Sequence, residues 1–373
     1  MSRPDPVVIP IWLRVGRASL VAVTLALLTF AAGAADAPDK LNVAPAVVVG
    51  DATPSAAPSE PEGTPGQEQT LDAERLFGAI VKVSARAVPD ARSATTLGHE
   101  REGSGVVIGR DGLILTIGYL IVEADDVKVT DAHSRTLPAQ VVGYDHNSGF
   151  GLLRTVVPID AQPITFGDSA RTAEREPVLI ASASTDGASF AFVVSKRAFT
   201  GNWEYQIDSA IYTSPPTLNW SGAALIDRDG KLIGIGSLIV REATDTDPKL
   251  PGNVFVPIDL LKPILADLVR EGHRAGPARP WLGVSADEIQ GRVLITRISP
   301  DGPADRAGLQ PGDIILAVGN DTVKTQSEFY EKLWKGGHAG DEIALKVLQG
   351  ADVREVKVRS MDRQQYFRPR TII

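Results

Sequence analysis

The sequence lacks the residues that mark several protein classes. None of its 373 residues is cysteine, which excludes disulfide bonds, thiol nucleophiles and most structural zinc sites. Its 46 Asp and Glu outnumber 38 Lys and Arg, giving a net charge of -8, and no basic cluster offers the cationic surface that nucleic-acid phosphates require. The 5 histidines show no metal-ligand spacing. The sequence therefore predicts no nucleic-acid partner, no metal and no cofactor.

Glycine and proline are abundant, whereas aromatic residues are few. With 35 glycines, 26 prolines and 6% aromatics, the composition favours a strand-rich, turn-rich chain over a helical bundle. Short β-type runs recur between residues 103 and 264, among them residues 105–108, 113–116, 178–181 and 232–235. This spacing, with turn residues between the runs, predicts a β-barrel or β-sandwich.

The N-terminal segment has the pattern of an export signal. Arg3, Arg14 and Arg17 precede an apolar run at residues 18–32, which small residues follow. Residues 1–34 are therefore predicted to be a secretory signal peptide, and an uncleaved membrane anchor is the alternative because the run approaches spanning length. Both interpretations place the remainder in the periplasm or cell envelope, as a soluble or an anchored protein.

Composition divides the rest of the chain into predicted domains. Residues 35–69 are rich in Ala, Pro, Gly, Ser and Glu without periodicity, which predicts a flexible linker. Order is expected from about residue 70, with a helix over residues 258–271 that Gly272 ends. The predicted domains are residues 70–275, residues 276–361 and a C-terminal tail at 362–373.

Ser221 lies in the run LNWSGAAL at residues 218–225, where a serine in a small-residue turn precedes an apolar strand. A serine hydroxyl is a weak nucleophile by itself. It needs a base within hydrogen-bond reach, a group that orients the base, and backbone N–H donors aimed at the developing oxyanion. Ser221 is therefore a candidate nucleophile whose partners must be sought elsewhere in the chain.

Several runs resemble, in order, the HtrA (Deg) family of trypsin-like serine proteases. They are GSGVVI at 103–108, DGLILT at 111–116, VGYD at 142–145, the Ser221 region, and the passage 254–270. Residues 281–284 (WLGV) resemble the carboxylate-binding loop of a PDZ domain. The runs GPA at 302–304 and AGLQPGDII at 307–315 resemble the most recognisable stretch of that domain. The resemblance implies a mainly β protein, with a chymotrypsin-like double β-barrel followed by an α+β PDZ domain.

The chain departs from the family pattern at two catalytic positions. Tyr119 stands at the position of the family's histidine, and Gly149 at the position of its orienting aspartate. A phenol, with an ordinary pKa near 10, is protonated at neutral pH and is a poor base. The approach at residues 212–218 is also longer than the family's, and Trp220 alters the nucleophile turn. Ser221 is therefore predicted to be a vestigial nucleophile.

Other titratable residues are weaker candidates for a replacement role. The histidines in polar loops and a lysine beside an arginine are interpreted as solvated side chains, and an aspartate upstream of Ser221 is interpreted as structural rather than as a specificity-pocket charge. These residues are His99, His133, His146, Lys196 and Asp208.

The leading hypothesis is an exported HtrA-like pseudoprotease that acts as a peptide- or protein-binding adaptor or regulator in envelope protein quality control. Its PDZ domain would bind C-terminal or extended peptides through Trp281, Leu282, Gly283 and Val284, unless the neighbouring domain closes the groove. One alternative is an active serine endopeptidase that uses Ser221 with a non-standard base. The other is a regulatory subunit that co-assembles with an active HtrA homologue. A homotrimer is implied by the resemblance as a possible assembly.

Overall fold

The computed structural model describes residues 73–185, 187–335 and 337–368. The predicted signal or anchor at residues 1–34 and the linker at 35–69 lie outside these ranges. Within them, no helix is both long enough and apolar enough to cross a membrane. The described chain begins with helix α1 (Ala73–Gly78), which leads directly into the first strand.

Six antiparallel strands close into a first barrel. They follow the spatial order β1-β2-β3-β6-β5-β4, and pairing of β1 with β4 completes the cylinder. All five residues of β3 are buried; four are apolar, and the Thr116 hydroxyl donates to the Ser104 carbonyl at 2.7 Å. The strands are β1 (Ile80–Ala87), β2 (Glu100–Val107), β3 (Leu113–Ile117), β4 (Ala124–Thr130), β5 (Thr136–Tyr144) and β6 (Phe150–Thr155).

A second barrel repeats this architecture. Its order is β10-β11-β12-β9-β8-β7, closed by pairing of β7 with β10. The strands are β7 (Pro177–Ala181), β8 (Ala188–Gly201), β9 (Tyr205–Ser214), β10 (Ala224–Ile226), β11 (Leu232–Val240) and β12 (Gly252–Pro257). Closure leaves neither barrel with a free sheet edge.

The C-terminal domain is a twisted antiparallel sheet with helices. The sheet order is β13-β14-β15-β17-β18, with β16 paired to β15, so β13 is an edge strand. A separate apolar core fills this domain, with Phe329 and Leu333 among its buried side chains. The strands are β13 (Val284–Ile289), β14 (Arg292–Ile298), β15 (Ile314–Val318), β16 (Asp321–Thr322), β17 (Glu342–Gln349) and β18 (Asp352–Arg359).

The double barrel followed by an α+β domain confirms the predicted fold class. The remaining helices are short: α2 (Ala94–Leu97), α3 (Leu265–Glu271), α4 (Pro303–Arg306), α5 (Gln326–Trp334) and α6 (Arg363–Tyr366). Thr325 caps helix α5, because its Oγ1 accepts from the Glu328 amide at 3.1 Å. The Glu328 carboxylate reaches back to the Lys324 amide, one residue before the cap.

The prediction of one continuous helix over residues 258–271 is wrong. The structure has a 3-10 turn at Ile258–Leu260 and then α3, with non-helical residues between them. Pro263 lies in that gap. It lacks an amide hydrogen and disfavours helical backbone at the preceding residue. The predicted end is confirmed, since Gly272 caps α3 with a left-handed φ of 79°.

The segment after the last strand connects the C-terminal domain to the first barrel. Trp281 and Met361 form an isolated antiparallel bridge, and the Tyr366 ring of α6 lies 4.7 Å from the Trp281 ring. Further along, the Arg368 amide donates to the Glu123 carboxylate at 2.7 Å. The described part of the predicted tail is therefore ordered against both neighbours.

Candidate functional site

Ser221 and Tyr119 meet between the two barrels. Tyr119 belongs to the 3-10 turn Gly118–Leu120 that follows β3, and Ser221 lies just before β10. The Tyr119 hydroxyl donates to Ser221 Oγ at 2.9 Å and also lies 3.0 Å from the Ser237 carbonyl oxygen. Residues 102 positions apart in sequence are thus joined by their side chains.

The protonation of Tyr119 decides what this contact does chemically. Its ring packs partly buried against the barrel core, and burial raises the pKa of Tyr119 to about 12, although hydrogen bonds with Ser221 and Trp220 lower it. At neutral pH the phenol is therefore protonated. It donates a hydrogen bond to the serine oxygen and has no capacity to remove the serine proton.

Gly149 supplies backbone but no side chain to this region. Its carbonyl oxygen accepts from the Gly118 amide at 2.7 Å. The Gly149 backbone is left-handed, with φ 82°, and a Cβ there would lie 3.3 Å from the Tyr205 hydroxyl. That hydroxyl donates to the Ser148 carbonyl at 2.6 Å. A tyrosine therefore covers the space in front of Gly149.

Backbone amides around Ser221 donate within the protein. The Asn219 amide donates to Thr217 Oγ1 at 3.3 Å, and the Gly222 amide donates to the Gly236 carbonyl at 2.9 Å. Gly222 has a left-handed φ of 71°. An oxyanion hole needs donors that point at the developing charge rather than at internal acceptors. In this conformation these two amides are engaged elsewhere.

The other titratable candidates lie apart from Ser221. His146 stacks edge-on to Tyr144, with ring centroids 4.2 Å apart, and burial together with the charge of Arg363 holds the pKa of His146 well below its usual range. His99 and His133 are exposed. Among the described residues, no hydrogen bond joins these histidines to Ser221.

Lys196 binds loop carbonyl oxygens, and Asp208 faces solvent. The Lys196 ammonium donates at 2.9 Å to each of three carbonyl oxygens in one loop, so it fastens that loop to β8; the acceptors are Ser169, Ala170 and Thr172. Asp208 is exposed on β9. Lys196 therefore has a structural role and is not the solvated side chain that its position beside Arg197 suggested.

The loop before β13 binds a carboxylate supplied by the same chain. Glu204 comes from the turn between β8 and β9, and three consecutive amides converge on its side chain. The Gly283 and Val284 amides donate to Oε1 at 2.6 and 2.9 Å, and the Leu282 amide donates to Oε2 at 3.0 Å. The left-handed φ of 82° at Gly283 turns successive amides toward one point, which is the geometry of an anion-binding nest.

The same turn lies along the edge strand of the C-terminal sheet. The Ala286 amide of β13 donates to the Asn202 carbonyl at 3.0 Å, and the Asn202 side chain donates to Asp287 at 3.1 Å. On the opposite side, the Glu204 amide donates to the Tyr330 hydroxyl of α5 at 3.0 Å. The β8–β9 turn, residues 201–205, therefore occupies the groove between β13 and α5.

Glu204 is held in an unusual state. It is 5% exposed and has a left-handed φ of 54°, a conformation that costs a non-glycine residue about 1–2 kcal/mol. Burial raises the pKa of Glu204 to about 7, while the loop amides and the charge of Arg363 act in the opposite direction. Arg363 also donates to the Trp203 carbonyl at 3.1 Å.

Of the four residues predicted for the peptide-binding loop, Leu282, Gly283 and Val284 present amides to the carboxylate. The Trp281 amide instead donates to the Met361 carbonyl at 3.1 Å. Sequence reasoning missed Glu204, because a glutamate in a short polar turn carries no motif. Its contact with the loop spans about 80 residues of sequence, and only the arrangement of the domains brings the two together.

Comparisons with known proteins agree with the two-part architecture. Residues 103–235 match the family model of the trypsin-like peptidase domain, and residues 280–359 match that of the PDZ domain. These matches define the class of the protein: a trypsin-like peptidase domain followed by one PDZ domain. The chain is also similar in sequence to DegP-like and DegS serine endoproteases.

Individual relatives are similar at moderate identity. A probable periplasmic serine endoprotease DegP-like protein of Halomonas elongata is 29% identical over 286 residues, which are 70% of this chain and 57% of the relative. Serine endoprotease DegS of Escherichia coli strain K12 is 26% identical over 297 residues, 72% of this chain and 81% of DegS. The chain thus spans little more than half the length of the DegP-like relative.

Solved structures include the HtrA-type protease AlgW with a decapeptide. It is 19% identical, with a TM-score of 0.49, and the match covers 79% of this chain and 97% of AlgW. The serine endoprotease from Yersinia pestis is 23% identical, with a TM-score of 0.47, over 77% of this chain and 95% of the other.

Proposed function

We propose that the protein is an exported HtrA-like pseudoprotease that binds protein segments through its PDZ groove and acts as an adaptor or regulator in envelope protein quality control. The carrying observation is the convergence of the amides of Leu282, Gly283 and Val284 on one carboxylate. A nest that holds a glutamate carboxylate has the donors to hold the terminal carboxylate of a peptide.

The absence of hydrolysis is the second part of the proposal. The contact partner of Ser221 is a phenol whose pKa is about 12, and Gly149 has no side chain with which to orient a base. Removing triad members leaves at best roughly 10³ to 10⁴-fold acceleration over water from binding and oxyanion donors. The proposal therefore assigns Ser221 a structural role in the contact between the barrels.

Export and domain boundaries complete the proposal. The relatives named periplasmic support a location in the periplasm or envelope, with residues 1–34 as a signal peptide or an anchor and residues 35–69 as a linker. The proposed domains are residues 70–275 and 276–361, followed by residues 362–373. A homotrimer, or assembly with an active HtrA homologue, stays a prediction.

Labelling with a fluorophosphonate, beside casein hydrolysis, tests the proposed lack of activity. The purified protein and its Ser221→Ala variant are compared, with an active trypsin-like protease as the positive control. We expect equal background signal from both. Casein turnover or labelling that disappears in Ser221→Ala would instead establish the alternative, a serine endopeptidase with a non-standard base.

A further inference from the structure

We infer that the β8–β9 turn is an internal ligand of the PDZ groove, and that a peptide with a free terminal carboxylate binds by displacing Glu204 from the loop. This inference rests on the proposed peptide-binding function. It adds the identity of the competing ligand and the chemical class of the partner that replaces it.

The carboxylate site has only one set of donors among the described residues. The amides of Leu282, Gly283 and Val284 all donate to Glu204 at 3.0 Å or less. A peptide carboxylate would need the same three N–H groups. Two carboxylates in one nest would also repel each other strongly at short range in a buried site. Occupation by Glu204 and occupation by a peptide therefore exclude one another.

The strand edge is occupied as well. Peptides that extend a sheet require the free N–H and C=O groups of the edge strand. In β13 the Ala286 amide already donates to the Asn202 carbonyl at 3.0 Å, and the Ala286 carbonyl accepts from the Gln326 side chain at 2.5 Å. A peptide strand therefore has to replace the Asn202 contact and turn the Gln326 side chain away.

The docked turn has features of a displaceable group. Glu204 keeps a left-handed φ of 54°, and such strain persists only while surrounding contacts hold it. A cavity of about 350 Å³ lies beside it, with Glu204, Trp281, Trp334 and Arg363 in its lining. The turn therefore has open space on one side.

The displacing partner is defined by the groove. It is an extended segment with a free C-terminal carboxylate for the three amides and an apolar last side chain, because the domain core behind the loop is apolar. When only a fraction of molecules has an open groove, the apparent dissociation constant rises by the inverse of that fraction. Weakening the internal ligand should therefore tighten peptide binding.

The test measures binding of short apolar-ended peptides, as free acids and as C-terminal amides, to the full protein and to Glu204→Gln and Glu204→Ala. Asp208→Asn is the matched control, because it removes one negative charge from an exposed position on the following strand. We expect both Glu204 variants to bind the free acids at least about tenfold more tightly, equivalent to about 1.4 kcal/mol. The control should match the unmodified protein.

Thermal unfolding checks that each variant is folded, and Glu204→Gln preserves side-chain volume if Glu204→Ala does not fold. Amide hydrogen exchange gives a second reading: peptide should increase exchange at residues 202–204 while residues 282–284 stay protected. Equal affinities of the folded variants and the unmodified protein for the free acids would overturn the internal-ligand inference alone. Failure of every folded form to bind any free acid would overturn the proposed peptide-binding function as well.

Discussion

The Ser221 contact and the PDZ loop are both occupied by side chains of the same protein, but the two pairings differ in chemistry. At Ser221 a neutral phenol donates to a hydroxyl over 2.9 Å. At the loop a carboxylate accepts from three amides over 2.6 to 3.0 Å. The first pairing gives the serine a protonated phenol as its partner, whereas the second has the donors that a carboxylate ligand needs.

This difference shows that a fold and its chemistry depend on separate sets of residues. The barrels are held by apolar side chains such as Ile114, Leu152 and Val256, all fully buried, and none of these takes part in proton transfer. Replacement of a catalytic side chain therefore leaves the core intact. The carboxylate nest, by contrast, is made of backbone amides, so it follows directly from the fold of the loop.

Amidation of the peptide should give the largest effect on the PDZ side of this comparison. An amide lacks the negative charge to which the amides of Leu282, Gly283 and Val284 donate. Loss of a charge-assisted hydrogen bond costs roughly 1.5–3 kcal/mol, so affinity should fall at least about tenfold. Fluorescence anisotropy makes this measurement with Glu204→Gln, in which we expect the internal ligand to compete less strongly. Equal affinities for acid and amide would show that the nest does not recognise the terminus.

The double variant Tyr119→His, Gly149→Asp, which follows the family pattern at both positions, should not become a protease. Gly149→Asp places a Cβ at a left-handed φ of 82°, about 3.3 Å from the Tyr205 hydroxyl, and such a backbone costs about 1–2 kcal/mol. We expect the variant Tyr119→His, Gly149→Asp to be less stable by that amount and not to cleave casein, because catalytic geometry tolerates errors of only about an ångström.

Tyr119→His alone is the control, since it leaves Gly149 unstrained. Denaturant unfolding gives the stability difference, and casein assays give the activity. Efficient cleavage by the double variant, abolished by Ser221→Ala, would show that the nucleophile turn is still competent.

Features that depend on residues close together in the sequence could be predicted, and features that depend on distant residues could not. Alternating and apolar runs are local, and they predict the strands of both barrels. The motif at residues 307–315 is also local and predicts the PDZ domain. By the same local logic Pro263 should have divided the helix predicted over 258–271, but the apolar spacing on one helix face concealed that break.

Features made by distant residues could not be predicted in this way. The Glu204 contact joins a barrel turn to a loop about 80 residues away, and it depends on how two domains pack. Nothing in the turn sequence at residues 201–205 distinguishes a docked glutamate from a solvated one. The contact of Tyr119 with Ser221 was accessible only through the family resemblance, which places both residues at catalytic positions.

Tyr119→Phe tests the structural role of the barrel contact and should have a smaller effect. It removes the only hydroxyl that donates to Ser221 Oγ among the described residues, and a hydrogen bond of this kind contributes about 1 kcal/mol. We expect stability to fall by about that amount, while peptide affinity stays unchanged. Denaturant unfolding and anisotropy measure the two quantities. A change in peptide affinity would mean that the two sites are coupled.

A further effect is expected from pH, and it acts through Glu204. Burial raises its pKa from 4.5 to about 7 in the docked turn, with Arg363 opposing the shift and the buried Tyr330 hydroxyl adjacent. A carboxyl whose pKa is higher when docked binds a proton on docking. The stabilisation of the docked turn that comes from this proton is therefore fully present below about pH 4.5 and is lost as the pH rises through 7. The terminal carboxylate of a peptide, with an ordinary pKa near 3.5, stays ionised throughout.

Docking should therefore be weaker at pH 8 than at pH 5.5, and the unmodified protein should bind a free-acid peptide more tightly at pH 8, by about threefold or more. Glu204→Gln has no carboxyl to titrate, so its affinity should be constant over the same range. Isothermal titration calorimetry in two buffers of different ionisation enthalpy would also detect the proton that Glu204 releases when the peptide displaces it. If the pH dependence persists in Glu204→Gln, or if binding is tighter at pH 5.5, the titrating group is not Glu204. Protonation of Glu204 would then not control docking of the turn.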